Sequence, residues 1–406
     1  MKLASRILKI VLITLSCIVV FMSIKFIVEK KQWSPIDEYA HMDYIEKLGE
    51  GMMPKLQYAI SNDIYSDLIE HPTRSFTGLP VHNREELGLG NYSYQAKHPP
   101  LYYATLLIPN MIMKKIGIKT YERLTILRII SFLLYAIGIC ICIPIFKMLR
   151  FLGFQIPEFY SWLCVLFCLL IATHQRYGLT NNMLSPLFIN ASLLYLLKYN
   201  ISHEIKYLYG FMLLAGLSVC VALTNVFIIP FLFLYALIIY WPQFNLKTFL
   251  IACSILLIPA TVIVWWKIFT IPDKAFENYI QNLLLVIIPC NVLTFKMFLD
   301  LLLNDTFQLS FINTNYNLTD LYLILLAVNT LLFLVFIKTI LKKHLWLAFA
   351  MVIFVIFVYN LYFLNAYVPR VHWVALRNYM GFVPLLFISC SGFIVVISGK
   401  IKQKIA

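Results

Sequence analysis

Residues 7–28 read ILKIVLITLSCIVVFMSIKFIV, an almost unbroken apolar run that is followed at once by Glu29, Lys30 and Lys31. A helix needs about 20 apolar residues to cross the hydrocarbon core of a bilayer, so this run is long enough to span a membrane. No small-residue cleavage site precedes Glu29, and the run is therefore predicted to be an uncleaved signal anchor rather than a removed signal peptide.

The composition of the whole chain agrees with a membrane protein. Of its 406 residues, 61% are hydrophobic and only 13% are charged, so lipid must be the solvent for much of the surface. The net charge of +14 is attributed to cytoplasmic loops that meet anionic lipid. Nucleic-acid binding is not expected, because no soluble basic domain is present. Most of the nine cysteines lie in apolar runs, where they behave as small hydrophobic residues.

Apolar runs recur along the chain and predict an all-α polytopic membrane protein with about ten transmembrane helices. The predicted spans are roughly residues 7–28, 121–148, 158–175, 183–199, 207–223, 225–241, 248–268, 319–339, 344–364 and 380–398. The resulting parts are a signal anchor (1–28), a first extracytoplasmic loop (29–120), a transmembrane bundle (121–268), a second extracytoplasmic loop (269–318) and C-terminal transmembrane helices (319–406).

Basic residues predict the orientation. If the N-terminus is cytoplasmic, each predicted cytoplasmic segment carries Lys or Arg and few acids, as the positive-inside rule requires. These residues are Lys2, Arg6, Lys9, Lys147, Arg150, Lys198, Lys206, Lys247, Lys338, Lys342, Lys343, Lys400, Lys402 and Lys404. Both termini are therefore expected in the cytoplasm.

The first loop carries an acidic pair, Asp37 and Glu38, with His41 about one turn later. Residues from about 35 to 51 have helical periodicity, so the pair is expected on a helix lying along the membrane interface, where Asp37 and His41 share a face. Two readings stay open at this point. The acid pair forms a chemical site, or Asp37 caps the helix in a box begun by Ser34 while Glu38 and His41 form a solvated face.

A second polar cluster, Lys97 and His98, precedes the next apolar run at the end of the loop. Pro99 and Pro100 are expected to start a helix there, and Tyr102 follows on it. Cations beside a helix N-terminus can bind an anion. The alternative is an interfacial belt in which Lys snorkels and Tyr lies at headgroup level.

Two arginines stand out elsewhere. Arg377 is followed by Tyr379 at the start of the last predicted span, on the same outer side as Asp37, where an Arg can bind phosphate bidentately. The alternative is an anchor for the final helix. Arg128 lies inside the second predicted span, and an intramembrane charge is by default functional or paired. Pairing with the nearby Glu122 is the simplest alternative.

These motifs together resemble the glycosyltransferase C superfamily. Asp37-Glu38-x-x-His41 with Gly51-Met52-Met53-Pro54 resembles the start of that family's first outer loop, His98-Pro99-Pro100-Leu101-Tyr102-Tyr103 resembles the end of that loop, and Arg377-Asn378-Tyr379 resembles its late arginine-tyrosine element. Within the superfamily the chain looks most similar to bacterial enzymes related to protein O-mannosyltransferases and to the aminoarabinose transferase acting on lipid A. It has Gln95 where the family often has Glu, no acid after Asn181-Asn182, and no basic residue near Asn225.

The resemblance implies a membrane enzyme that moves a sugar from a polyprenyl-phosphate donor to a lipid, glycan or protein acceptor outside the cytoplasm. Its implied location is a bacterial cytoplasmic membrane. Asp37 would be the general base of an inverting displacement, with Glu38 beside it as the second catalytic carboxylate. The residues implied to bind substrate or orient the base are His41, Lys97, His98, Tyr102, Arg128, Arg377 and Tyr379.

No cofactor is certain from the sequence. A divalent metal is compatible with the carboxylates and His41, but more oxygen ligands are needed than the motif supplies. The main alternative function is a transporter or flippase for lipid-linked glycans, and a third is a non-catalytic assembly factor. A transporter commonly has polar groups and broken helices at mid-membrane depth, whereas the polar clusters of this chain gather at one predicted face.

Overall fold

The computed structural model describes residues 2–30, 33, 38–55, 58–71, 94–152, 156–173, 179–222, 225, 232–233, 236, 240–243 and 245–270. Within these residues the protein is helical and has no strands, as the sequence predicts. The helices are α1 (Lys2–Glu29), α2 (Glu38–Gly49), α3 (Asn62–Glu70), α4 (Leu101–Lys115), α5 (Thr120–Cys140), α6 (Cys142–Phe151), α7 (Phe159–Thr173), α8 (Ser185–Ser202), α9 (Ile205–Val221) and α10 (Leu246–Thr270). Short 3-10 turns occupy Tyr94–Lys97, Asn181–Leu184 and Trp241–Gln243.

Three helical stretches in the described part of the chain are long and apolar enough to cross a membrane. They are Ser5–Glu29, Thr120–Phe151 and Leu246–Thr270, and the helices Phe159–Leu170 and Ile205–Val221 are shorter apolar segments. The class predicted from the sequence, a helical membrane protein, agrees with this finding. The predicted spans after residue 270 and most of the span predicted at 225–241 lie outside the described residues, so the number of about ten spans stays a prediction.

The chain divides into two compact units, and all ten α-helices described above belong to the first. Within it, helix α1 runs past α7 and α5. Near its start, Lys9 forms an ion pair of 2.8 Å with Glu158, which lies just before α7. At the opposite end of α1, the Lys30 carbonyl accepts a hydrogen bond from the hydroxyl of Tyr121, in the first turn of α5. Helices α1 and α5 therefore run in opposite directions, as alternating spans require.

Helices α5 and α8 approach each other closely at Gly138. A Cβ atom at this position would lie 2.5 Å from the backbone nitrogen of Leu187 and 2.8 Å from its Cα. The carbonyl of Gly138 accepts a 2.9 Å hydrogen bond from the Asn190 side chain. Small residues at such crossings let two membrane helices pack backbone against backbone.

Replacing Gly138 with Ala should lower the free energy of unfolding by about 1–3 kcal/mol, because the new methyl group meets backbone that cannot rotate away. The matched control is Gly49→Ala, whose Cβ would make only ordinary contacts, the nearest being 3.5 Å from Leu107. Thermal unfolding of the purified proteins in the same detergent measures both. A Gly138→Ala midpoint equal to that of Gly49→Ala would contradict the close approach.

Helix α2 ends in a Schellman motif. The amide of Met52 donates to the carbonyl of Lys47 (2.8 Å), the amide of Gly51 donates to that of Leu48 (3.1 Å), and Gly51 has the positive φ of 72° that this motif needs. The helix predicted over residues 35–51 is therefore present from Glu38 onward. It is buried along most of its length and packs mainly against α4, with Tyr44, Tyr102 and Tyr103 wholly inside.

Candidate functional site

Glu38 opens helix α2 and is completely buried. Arg128 of α5 binds both of its carboxylate oxygens: Nε donates to Oε1 (2.7 Å) and Nη2 donates to Oε2 (2.5 Å). The amide of Leu179 also donates to Oε1, at 2.9 Å. A bidentate guanidinium–carboxylate pair is among the strongest side-chain contacts, and it fixes the orientation of both side chains. The solvated face considered for Glu38 and His41 is therefore wrong, since both residues are buried.

The guanidinium of Arg128 is held from a second side as well. Its Nη1 donates to the hydroxyl of Tyr121 (3.3 Å), and that hydroxyl in turn donates to the carbonyl of Lys30. Burial lowers the pKa of the Lys30 ammonium to about 8, with Glu38 opposing the shift and Arg128 adding to it. Arg128 thus binds the buried carboxylate directly, and the Lys30 ammonium is near enough for its pKa to respond to that carboxylate.

His41 lies one turn after Glu38 on α2. Its Nδ1 is 2.8 Å from the hydroxyl of Tyr103, and the two rings are stacked with centroids 5.7 Å apart. The ring of His98 lies 6.3 Å away, and that of Tyr102 packs edge-on at 6.4 Å. The hydroxyl of Tyr102 reaches Ser131 at 2.8 Å, one turn beyond Arg128 on α5.

The segment before α8 completes this arrangement. It holds the 3-10 turn Asn181–Leu184, which is buried throughout. The Asn181 amide group donates to the carbonyl of Val221 (3.1 Å) and lies 3.5 Å from Nδ1 of His98. Since Leu179 contacts Glu38, this one segment touches both the carboxylate and a histidine.

The structure thus brings five of the predicted site residues together. We call Glu38, His41, His98, Tyr102 and Arg128 the Glu38 cluster. Four other predicted site residues are not placed. Asp37, Arg377 and Tyr379 lie outside the described residues, and Lys97 ends a 3-10 turn whose backbone alone is described at that position.

Several residues that contact the Glu38 cluster could not be identified from the sequence. Tyr103 and Tyr121 resemble the many other aromatic residues of an apolar chain, and the backbone amide of Leu179 has no sequence signature at all. Asn181 stands out in the sequence only because no acid follows the Asn181-Asn182 pair, and its contact with His98 was not predicted.

A second buried polar group braces the middle of α2. The Glu46 carboxylate forms ion pairs with Arg123 (2.7 Å) and Lys114 (2.7 Å) and accepts a hydrogen bond from the Asn110 amide group (3.1 Å). Burial lowers the pKa of the Lys114 ammonium, but Glu46 and Glu50 outweigh this effect and leave that pKa above its usual value. The acids of α2 therefore attach it to α4 and α5.

Two further charged residues of α2, Asp43 and Lys47, connect the helix to the segment before α3. Asp43 accepts from Lys47 at 2.6 Å and from the amide of Ser61 at 2.9 Å. Lys47 also donates to the carbonyl of Ala59 at 2.8 Å. All the polar residues of α2 from Glu38 to Lys47 are thus in the interior, where ion pairing compensates their burial.

Two of the residues that the sequence offers as metal ligands in the first loop are engaged in other contacts. Both oxygens of Glu38 receive hydrogen bonds from Arg128, and Nδ1 of His41 contacts Tyr103. A cation on Glu38 would have to displace a guanidinium that makes two short bonds. The third, Asp37, lies outside the described residues.

Comparison of the chain with models of protein families, with curated proteins and with solved structures gives no match.

Proposed function

We propose that the protein is a membrane glycosyltransferase that transfers a sugar from a polyprenyl-phosphate donor to an acceptor outside the cytoplasm, with inversion at the anomeric carbon. The observation that supports it is the bidentate hydrogen bonding of Arg128 to Glu38, the residue that follows Asp37 in the chain. A general base needs a fixed position relative to its substrate. The side chain of Glu38, the next residue in the chain, is fixed in this way.

The chemistry of a phosphate-linked donor fits the charges near Glu38. The leaving group is a lipid phosphate, and its growing negative charge needs nearby cations. Two basic side chains, Lys30 and Arg128, lie near one carboxylate, that of Glu38. In the proposed mechanism Asp37 takes the proton of the acceptor hydroxyl, while Lys97, His98 and Arg377 stabilise the departing phosphate. Glu38 and His41 orient the base or the acceptor.

The proposed location is the cytoplasmic membrane of a bacterium, with both termini in the cytoplasm and the site facing outward. Two contacts support this topology. Lys9 and Glu158 meet at the end of α1 that begins with the basic residues Lys2, Arg6 and Lys9, and the Glu38 cluster lies near the other end, where Lys30 meets Tyr121. The positive-inside rule assigns the basic end to the cytoplasm.

The test uses full-length protein in vesicles that contain a polyprenyl-phosphate sugar. A glycosyltransferase consumes the donor and releases the lipid phosphate. A transporter or flippase, the alternative from the sequence, moves the donor between leaflets without consuming it. Translocation with an unchanged amount of donor would overturn the proposal, and so would the absence of both processes with every polyprenyl-phosphate sugar tried.

Replacing Arg377 with Ala is expected to weaken donor binding about 10- to 100-fold, the range for losing a hydrogen-bonded charged contact. Arg377→Lys is the matched control, since it keeps the charge but loses the planar fork, and it should recover only part of the affinity. Binding of a labelled donor analogue measures both variants. Wild-type affinity in Arg377→Ala would remove Arg377 from the phosphate site.

A further inference from the structure

The end of helix α3 carries a group of side chains with metal-ligand chemistry, separate from the Glu38 cluster. Asp67, Glu70 and His71 offer two carboxylates and one imidazole whose ligand atoms all lie within 4.8 Å of one another. Among the described residues, this is the one group of three or more such side chains with that spacing. Positions i, i+3 and i+4 bring the three residues onto one face at the helix end.

The imidazole of His71 supplies a second observation. Its Nδ1 atom is buried and has no hydrogen-bond partner among the described residues. It faces Oδ1 of Asp67 at 3.6 Å, which is too long for a hydrogen bond. A buried polar atom normally has a partner. Two ligand atoms that each lie about 2.1 Å from a tetrahedral ion are about 3.4 Å apart, so a separation of 3.6 Å fits a shared metal.

A hydrogen bond from Trp33 orients the Asp67 carboxylate toward His71. The indole of Trp33 donates to Oδ2 of Asp67 at 2.8 Å, on the other oxygen from the one that faces His71. Metal-binding carboxylates are commonly held in this way by a hydrogen bond to the oxygen that does not bind the ion.

The geometry points to a divalent transition-metal site formed by Asp67, Glu70 and His71. Zn²⁺ is the ion we choose to test, because it accepts both imidazole nitrogen and carboxylate oxygen and a water molecule can complete the tetrahedron. Glu70 is exposed, so its side chain is able to swing onto an ion held by the other two residues.

A metal at this point would stabilise the surroundings of Arg128. The ring of His71 stacks on that of Tyr121 with centroids 4.2 Å apart, and the hydroxyl of Tyr121 accepts from Arg128. An ion that fixes His71 would therefore fix the tyrosine that supports Arg128. The metal site itself does not depend on the proposed glycosyl transfer, so the two proposals stand or fall separately.

The test is a titration of full-length, metal-free protein with Zn²⁺, followed by metal analysis after gel filtration. We expect one bound ion per chain. His71→Phe keeps a ring to stack on Tyr121 but removes the ligand nitrogen. Loss of an outer-shell partner of a metal ligand typically weakens metal binding by roughly 10- to 100-fold. Because His71→Phe removes a ligand itself, we expect it to weaken Zn²⁺ binding by at least this factor. Asp63→Asn, an exposed acid on the same helix, is the matched control and should bind as wild type does.

A second measurement separates loss of the ligand from loss of the fold. Co²⁺ in place of Zn²⁺ absorbs visible light according to its ligands, and we expect the spectrum of Glu70→Gln to change while the thermal midpoint without metal stays that of wild type. Failure of the wild-type protein to bind either ion would overturn the proposal. Equal Zn²⁺ affinity in wild type and in folded His71→Phe would overturn it as well.

Discussion

An Arg128→Met protein should lose about 3–5 kcal/mol of its free energy of unfolding, because the Glu38 carboxylate would stay buried without its charged partner. Methionine keeps much of the length of the side chain, so lost packing contributes little. Glu38 is wholly inaccessible to solvent and cannot recover hydration by a small movement. Chemical unfolding in detergent, followed by the fluorescence of the tryptophans, measures the change.

The double variant Glu38→Gln/Arg128→Met is the control. The glutamine oxygen can still accept from the amide of Leu179, and no buried charge is left, so most of the lost stability should return. A double-mutant cycle isolates the interaction energy of the pair. If the costs of the two single substitutions simply add, the ion pair is not the source of the effect.

Asp37→Asn should abolish detectable sugar transfer, a loss of at least about 10²–10⁴ in rate, since Asn matches Asp in size but accepts no proton. Donor binding should stay near that of wild type, because the proposed phosphate contacts come from Lys97, His98 and Arg377. The measurement is donor consumption by purified protein, with binding of a donor analogue recorded on the same preparation.

Asp63→Asn is again a matched control, as it removes one exposed acid from the same loop and should leave transfer unchanged. Thermal unfolding of Asp37→Asn shows whether the variant is folded. Near-normal turnover by a folded Asp37→Asn protein would remove the general-base assignment, whatever the outcome for Arg128.

The helical class and the position of α2 could be predicted from the sequence because they follow from local patterns. Apolar runs of membrane length predict α1, and Gly51 at the end of the periodic segment predicts the end of α2. Helix α4 begins at Leu101, directly after Pro99 and Pro100, as the prolines predict. Each of these features depends on residues close together in the chain.

The partners of the polar residues could not be predicted in this way. Arg128 has an acid six residues before it, Glu122, but the ion pair in the structure joins it to Glu38, 90 residues away. Charged residues such as Glu46 and Lys47 carry no local signal that predicts burial, yet both are buried by contacts with other segments. Pairings of this kind depend on how helices pack, and a single sequence carries no direct record of packing.

The long separation between Glu38 and Arg128 also constrains the order of events during synthesis. Glu38 has its charged partner on α5, and Glu46 is shared between Lys114 of α4 and Arg123 of α5, and both helices leave the ribosome later than α2. Until then these carboxylates must stay hydrated, since desolvating them alone would cost several kcal/mol each. We therefore expect helix α2 to remain exposed to water until α5 has been synthesised and to become buried only afterwards.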